Sequence, residues 1–211
     1  QLSPDAFAKV YDESVLARLR PRVRFGAVPA NGGNGRDARA ELDESDIIFS
    51  GWGAPRMDAE FLRAAPRLQA VFYAGGSTRA LTSDAFWKRA IRLSSAFAIN
   101  AIPVSEYTLA AILLGLKRFW QLARQTRETH TFPREVDVPG VYGSTVGLVS
   151  YGTIARLVRE RLRPHGVQVL VFDPHLDAVE ARAENVQLVG LDELFGSADV
   201  GVRYGDIATR A

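Results

Sequence analysis

Along the chain, short runs of consecutive apolar residues alternate with longer segments that mix polar and apolar residues at helical spacing. In the first half the runs are DIIFSGW (46–52), LQAVFYAGG (68–76) and IRLSSAFAI (91–99). Nearly continuous apolar runs of this length suit strands covered on both faces of a parallel sheet. Between them, MDAEFLRAAP (57–66) reads as a helix ended by Pro66, and SDAFWKRA (83–90) as a helix with Ser83 at its N-cap. Ahead of these, Ser3-Pro4-Asp5 has the form of an N-cap with proline at the first helical position, which predicts a helix over 4–20. VRFGAV (23–28) is a β-rich run, and ANGGNGRD (30–37) is a Gly/Asn-rich loop.

The second half repeats the alternation. STVGLVS (144–150), VQVLVFD (167–173), VQLVG (186–190) and the run beginning ADVGV (198–202) read as strands. Helices are predicted over 153–163, in the polar, acidic segment after 173, and as a turn at LDELFGSA (191–198). This βαβαβ order predicts doubly wound α/β architecture. Between the halves, 103–127 reads as one long helix. Its middle, Leu109 to Leu116, is apolar on nearly every face, so the helix is expected to be buried all round, between two domains or two subunits. A linker with Pro133, Pro139 and Gly140 follows. The expected division is a first domain at 1–100 and a second at 101–203.

Composition narrows the function. A chain of 211 residues allows one large domain or two small ones. The net charge is +2 and no block of like charge occurs, so a nucleic-acid-binding face is not expected. Cysteine is absent, which excludes disulfides, thiolate metal sites and cysteine nucleophiles. His130, His165 and His175 are scattered without ligand spacing, so no metal is expected. No apolar run of membrane-spanning length and no signal peptide is visible, and the expected location is cytoplasmic, without a membrane partner. The chain opens at Gln1 with a helix and no strand before it, which leads us to expect residues ahead of position 1.

The stretch GLVSYGTIA (147–155) is where chemistry enters. A strand followed by a helix start is a natural pyrophosphate site, because free backbone N–H groups and the helix dipole both favour anions. The dinucleotide fingerprint asks for glycine at three spots, which here read Ser150, Gly152 and Ala155. Gly152, where the backbone must approach the ligand, is kept. Ala155 is an accepted replacement at the packing spot. Ser150 is the departure, and it requires the turn there to avoid a glycine-only conformation. The next strand ends in Asp173 followed by Pro174, at close to the spacing expected of an acid that accepts the ribose hydroxyls. An aspartate before proline is also a common turn former.

In this context the chain resembles the NAD-dependent D-2-hydroxyacid dehydrogenase family, which includes phosphoglycerate and formate dehydrogenases. The resemblance runs from about Met57 to Val200, through VFYAGGSTRALTSDAFWKRAIRLSSAFAINAIPVSEYTLAAILLGLKRF, GSTVGLVSYGTIARLVRERLRPHGVQVLVFDPHL and LDELFGSADV, in that order. It implies two doubly wound parallel-sheet domains: a flavodoxin-like substrate domain, completed by 204–211, and a Rossmann NAD-binding domain lacking its C-terminal end. The implied cofactor is NAD, and the implied reaction interconverts a D-2-hydroxyacid and a 2-oxoacid. Gly75, Gly76 and Ser77 correspond to the substrate-carboxylate loop, and consecutive N–H groups in such a turn form an anion nest; a tight turn would need the same glycines. Asn100 corresponds to a position near the substrate, or is a helix cap. Ser150, Tyr151, Gly152, Thr153 and Ile154 would flank the pyrophosphate. Thr153 stands where the family often has a basic residue. Asp173, with Pro174 and His175 beside it, would hold the adenosine ribose and favour NAD over NADP. The helix 103–127 corresponds to the family's dimer helix, implying a homodimer.

The family's hydride transfer uses an arginine on the substrate and a histidine acid–base oriented by a glutamate. The resemblance ends near Val200, ahead of all three. Neither Arg203 nor Arg210 aligns with the catalytic arginine, so the catalytic residues are not identifiable in the 211 residues. Segments are expected to be missing before Gln1 and after about Val200. The alternatives are a non-catalytic NAD(H)-binding dimer and a different Rossmann enzyme such as a methyltransferase.

Overall fold

The computed structural model describes residues 10–26, 41–133 and 137–203. The expected cap at Ser3, the loop 30–37 and the tail 204–211 lie outside the described residues. The chain divides into two compact units, Gln1–Asn100 and Ala101–Ala211.

In the first unit, α1 (Glu13–Leu19) starts at Asp12, whose carboxylate accepts the N–H groups of Ser14 and Val15. The continuous helix expected over 4–20 is therefore interrupted, because Asp12 takes the extended conformation of an N-cap (φ −66°, ψ 157°). Residues 23–26 are not a strand, although their composition is β-rich. The order continues as β1 (Ile47–Ser50), α2 (Ala59–Ala64), β2 (Ala70–Tyr73), α3 (Asp84–Lys88) and β3 (Arg92–Ser95). The three strands pair in parallel in the order β1-β2-β3, with Phe49 opposite Phe72 and Phe72 opposite Ser94. Met57, Leu62, Leu68, Val71, Leu81 and Phe86 form the core of this unit. Asp58 and Ser83 cap α2 and α3 with their side chains. Arg89 binds the carbonyls of Leu62, Ala65 and Pro66 at 2.7, 2.9 and 2.6 Å. It thereby satisfies the open C-terminal end of α2.

The strand expected over 91–99 stops at Ser95, and α4 (Phe97–Leu116) begins before Pro103 instead of at it. Pro103 lies inside the helix, where its missing N–H removes one hydrogen bond without ending the helix. The long helix expected over 103–127 is two helices. Arg118 takes a left-handed conformation (φ 49°) between α4 and α5 (Phe119–Thr129). Within one chain, α4 buries a single face. Ala101, Ser105, Thr108, Ile112 and Leu116 are buried in one stripe, while Val104 and Tyr107 are exposed. At 20 residues and mean hydropathy 1.5, α4 does reach membrane-spanning dimensions by length and composition, contrary to the sequence expectation. Ile112 and Leu116 pack instead into the core of the second unit.

That unit continues with β4 (Thr145–Val149), α6 (Thr153–Leu162), a 3-10 turn (Arg163–His165), β5 (Gln168–Phe172), α7 (Ala178–Ala183), β6 (Gln187–Leu188), α8 (Leu191–Ser197) and β7 (Val200–Arg203). All pairings are parallel, in the order β6-β5-β4-β7. The chain thus builds outward from β4 to β6, then crosses back to place β7 on the other side of β4. The reversal opens a crevice at the carboxyl ends of β4 and β7, where open α/β sheets bind ligands. Val146, Leu148, Val158, Leu162 and Val171 form the core beneath it. Gly147 lets α8 approach the sheet closely: a Cβ there would lie 2.6 Å from Leu194 Cδ2 and 3.0 Å from Ala198 Cβ.

Candidate functional site

The turn after β4 stands at this switch point. Gly152 is the N-cap of α6, in extended conformation, and no side chain caps the helix. The leading N–H groups of α6 are therefore available to an external acceptor, at the positive end of a ten-residue helix. A Cβ on Gly152 would meet nothing within 4 Å. The space beside this backbone is open, unlike that beside Gly147.

Ser150 departs from expectation. It occupies positive φ (75°), the conformation its side chain was expected to exclude. The turn keeps the glycine-type geometry without the glycine. Its N–H bonds to Phe172 O at 2.8 Å, which fixes it against the end of β5.

Asp173 closes the other side. Its Oδ2 accepts the Tyr151 N–H at 2.6 Å, and its Oδ1 accepts the His175 N–H at 2.7 Å. The structure thus brings Ser150, Tyr151, Gly152, Thr153 and Ile154 together with Asp173, Pro174 and His175. Each carboxylate oxygen has acceptor capacity left after one N–H bond. An open glycine cradle at a helix start, beside a fixed carboxylate at the end of the neighbouring strand, fits the pyrophosphate and ribose of a dinucleotide.

Tyr151 is a supporting residue that the sequence shows only as a neighbour of Gly152. Its ring is buried (3% exposed) under the guanidinium of Arg156, 4.7 Å from the ring centroid. Arg156 is held by Glu180 at 2.6 Å and Glu184 at 2.9 Å. Burial, with Glu184 nearby, pushes the Tyr151 hydroxyl up to about 12, against the opposing arginines 156, 159 and 163. The hydroxyl is buried without a hydrogen-bond partner among the described residues. The spacing of Arg156 and Arg159 on one face of α6, continued by Arg163 in the turn that follows, was the available signal for this layer.

In the first unit, Gly75, Gly76 and Ser77 follow β2. A Cβ on Gly75 would fall 2.5 Å from the Tyr73 ring, so glycine is needed for that ring to fold over the turn. A Cβ on Gly76 would lie 3.3 Å from Asn100 Nδ2, which places Asn100 beside the loop. Asn100 is not a helix cap: it lies within the first turn of α4 and its N–H bonds Ala96 O at 2.8 Å. Ser77 Oγ accepts the Arg79 N–H at 3.4 Å. Among the described residues no cluster of three metal-binding side chains occurs.

Fold and turn together define a Rossmann-type dinucleotide-binding unit. The family model for the D-isomer specific 2-hydroxyacid dehydrogenase NAD binding domain matches residues 109–202. D-3-phosphoglycerate dehydrogenase of Mycobacterium tuberculosis H37Rv is 32% identical over 161 residues, covering 76% of this chain and 30% of that protein. (S)-sulfolactate dehydrogenase of Chromohalobacter salexigens is 30% identical, covering 72% of this chain and 52% of that protein. Among solved structures, NAD-dependent formate dehydrogenase from Staphylococcus aureus in complex with NAD has TM-score 0.66 at 22% identity, covering 93% of this chain and 59% of that one. D-lactate dehydrogenase from Aquifex aeolicus has TM-score 0.69 at 20% identity, covering 96% and 58%. Residues 109–202 thus belong to the NAD-binding domain family of the D-isomer-specific 2-hydroxyacid dehydrogenases, and the cofactor is NAD. The chain spans about a third of the length of the phosphoglycerate dehydrogenases it matches.

Proposed function

We propose that the protein is an NAD-dependent oxidoreductase that interconverts a D-2-hydroxyacid and a 2-oxoacid. The observation that carries this reading is the open backbone at Gly152, flanked by the fixed carboxylate of Asp173. NAD, when bound, supplies the hydride acceptor. The residues of the chain bind and orient. The first N–H groups of α6 take the pyrophosphate through Gly152, Thr153 and Ile154, with Ser150 and Tyr151 shaping the turn. Asp173, set by Pro174 and His175, accepts the ribose hydroxyls, and its charge disfavours a 2′-phosphate. Gly75, Gly76 and Ser77 offer backbone N–H groups to a substrate carboxylate, with the Asn100 amide beside them.

The experiment is a titration with NADH followed by NAD reduction in the presence of 3-phosphoglycerate, sulfolactate and lactate. Saturable NADH binding with turnover of one of them supports the reading. Absence of NADH binding would sink it. NADH binding without turnover of any 2-hydroxyacid favours the second reading, a non-catalytic NAD(H)-binding dimer. That reading draws on the histidines, none of which pairs with a carboxylate side chain among the described residues.

We also propose a homodimer through α4 and α5. Val104, Tyr107 and Leu114 of α4, with Phe119 and Trp120 of α5, expose apolar surface that a second copy would cover. A monodisperse monomer in light scattering at micromolar concentration would count against it.

A further inference from the structure

We infer that the second unit carries an oxyanion site, of the phosphate type, between the end of α6 and the turn before β6. A cavity of about 410 Å³ opens there, lined by Arg159, Arg163, Val167, Ala183 and Asn185. It lies away from the cofactor turn. Arg159 is seven residues into α6 from Gly152, which is about 10 Å along a helix axis.

Arg159 carries the argument. Its side chain is only 8% exposed, yet no carboxylate pairs with it among the described residues. One terminal nitrogen donates to Asn185 O at 3.2 Å, and Nε is buried with no acceptor. The other terminal nitrogen has no acceptor among the described residues and is not sealed off, and Arg159 lines the cavity. A guanidinium buried without a counter-charge is costly. The other charges around it are already engaged. Glu180 and Glu184 hold Arg156, and Glu160 takes the Nε of Arg163 at 2.8 Å. That last pair engages the Nε of Arg163, which also lines the cavity. Two guanidinium forks at one cavity match the spread oxygens of a phosphate group, which Arg binds in bidentate fashion. Val167 and Ala183 contribute only a minor apolar part of a mostly polar lining, as a phosphate group requires.

The test is amide NMR on the full chain, titrated with inorganic phosphate and separately with glycerol phosphate at constant ionic strength. Saturable shifts at 163–167 and 183–185 are expected. They should weaken at least tenfold in Arg159→Gln and in the more exposed Arg163→Gln, but not in Arg124→Gln on the surface of α5. Tighter binding of one titrant identifies free phosphate or a phosphomonoester as the occupant. Shifts confined to 150–154 would show phosphate at the cofactor turn only and overturn the proposal. So would unsaturable shifts, or shifts unchanged in both cavity variants. The result is independent of NADH binding, because the two sites report on different amides.

Discussion

The backbone N–H of Tyr151 donates to Asp173 Oδ2 at 2.6 Å, tying the turn after β4 to the end of β5. One carboxylate therefore has two tasks: it braces the turn and offers its remaining acceptor capacity to a ribose. Replacing it should reveal both. Asp173→Ala leaves the N–H groups of Tyr151 and His175 without their acceptor, and should cost about 1–3 kcal/mol of stability in urea unfolding. Asp173→Asn keeps one oxygen and removes the charge. In that variant NADH affinity should fall about tenfold or more, and the preference over NADPH should shrink. Unchanged affinity for both nucleotides would remove Asp173 from the site.

Gly152→Ala separates fold from binding. The added methyl meets nothing within 4 Å, and φ −83° suits any residue. Stability should change by less than about 1 kcal/mol, the ordinary size of an N-cap effect. NADH binding, followed by fluorescence titration, should weaken markedly because the methyl fills the space of closest approach. Retained affinity would mean the pyrophosphate lies elsewhere.

Ser150→Gly should stabilise the protein. A non-glycine residue in the left-handed region costs about 1–2 kcal/mol, and the extra freedom of glycine in the unfolded chain returns about half of that. A rise of about 0.5–1 kcal/mol is expected, seen as a higher urea midpoint with the same slope.

Tyr151 predicts an alkaline signature. Its folded value is raised to about 12 from the ordinary 10, so the folded state keeps a proton that the unfolded state loses. The associated stability is complete below about pH 10 and is lost as pH rises towards 12. Tyr151→Phe should flatten the fall in stability across that window and remove one late step from the tyrosinate absorbance titration. Because the hydroxyl has no partner among the described residues, the variant should be no less stable at neutral pH.

Gly147→Ala is the contrasting glycine. Here the methyl collides with Leu194 and Ala198, the first of which is fully buried. Overpacking of this kind costs about 1–3 kcal/mol. Thermal unfolding should show a clear drop in Tm.

The parallel strands β4 and β5 and the turn between β4 and α6 were legible because apolar runs and the Gly152–Asp173 spacing are local signals. Other features were not. Ser150 adopts positive φ because its N–H is fixed on Phe172 O, a contact supplied by the next strand. The break at Arg118 is hidden in a run whose composition is otherwise helical, with Gly115, three residues before it, the one local signal. Composition overstated a strand at 23–26, which finds no sheet partner among the described residues. The pairing of Gly76 with Asn100 was implied only by resemblance, since α3, β3 and the start of α4 lie between them.

The strand order β6-β5-β4-β7 also sets a timetable for synthesis. Val149 finds Phe172 soon after it leaves the ribosome, but Val146 must wait for Val200. Three strands can thus zip together while one side of β4 still lacks its neighbour. Closing that longer loop costs about 0.8 kcal/mol more chain entropy than closing the first. During the interval the nascent chain shows an apolar, unpaired strand edge, which is the form most open to chaperone capture or to pairing with a second nascent copy.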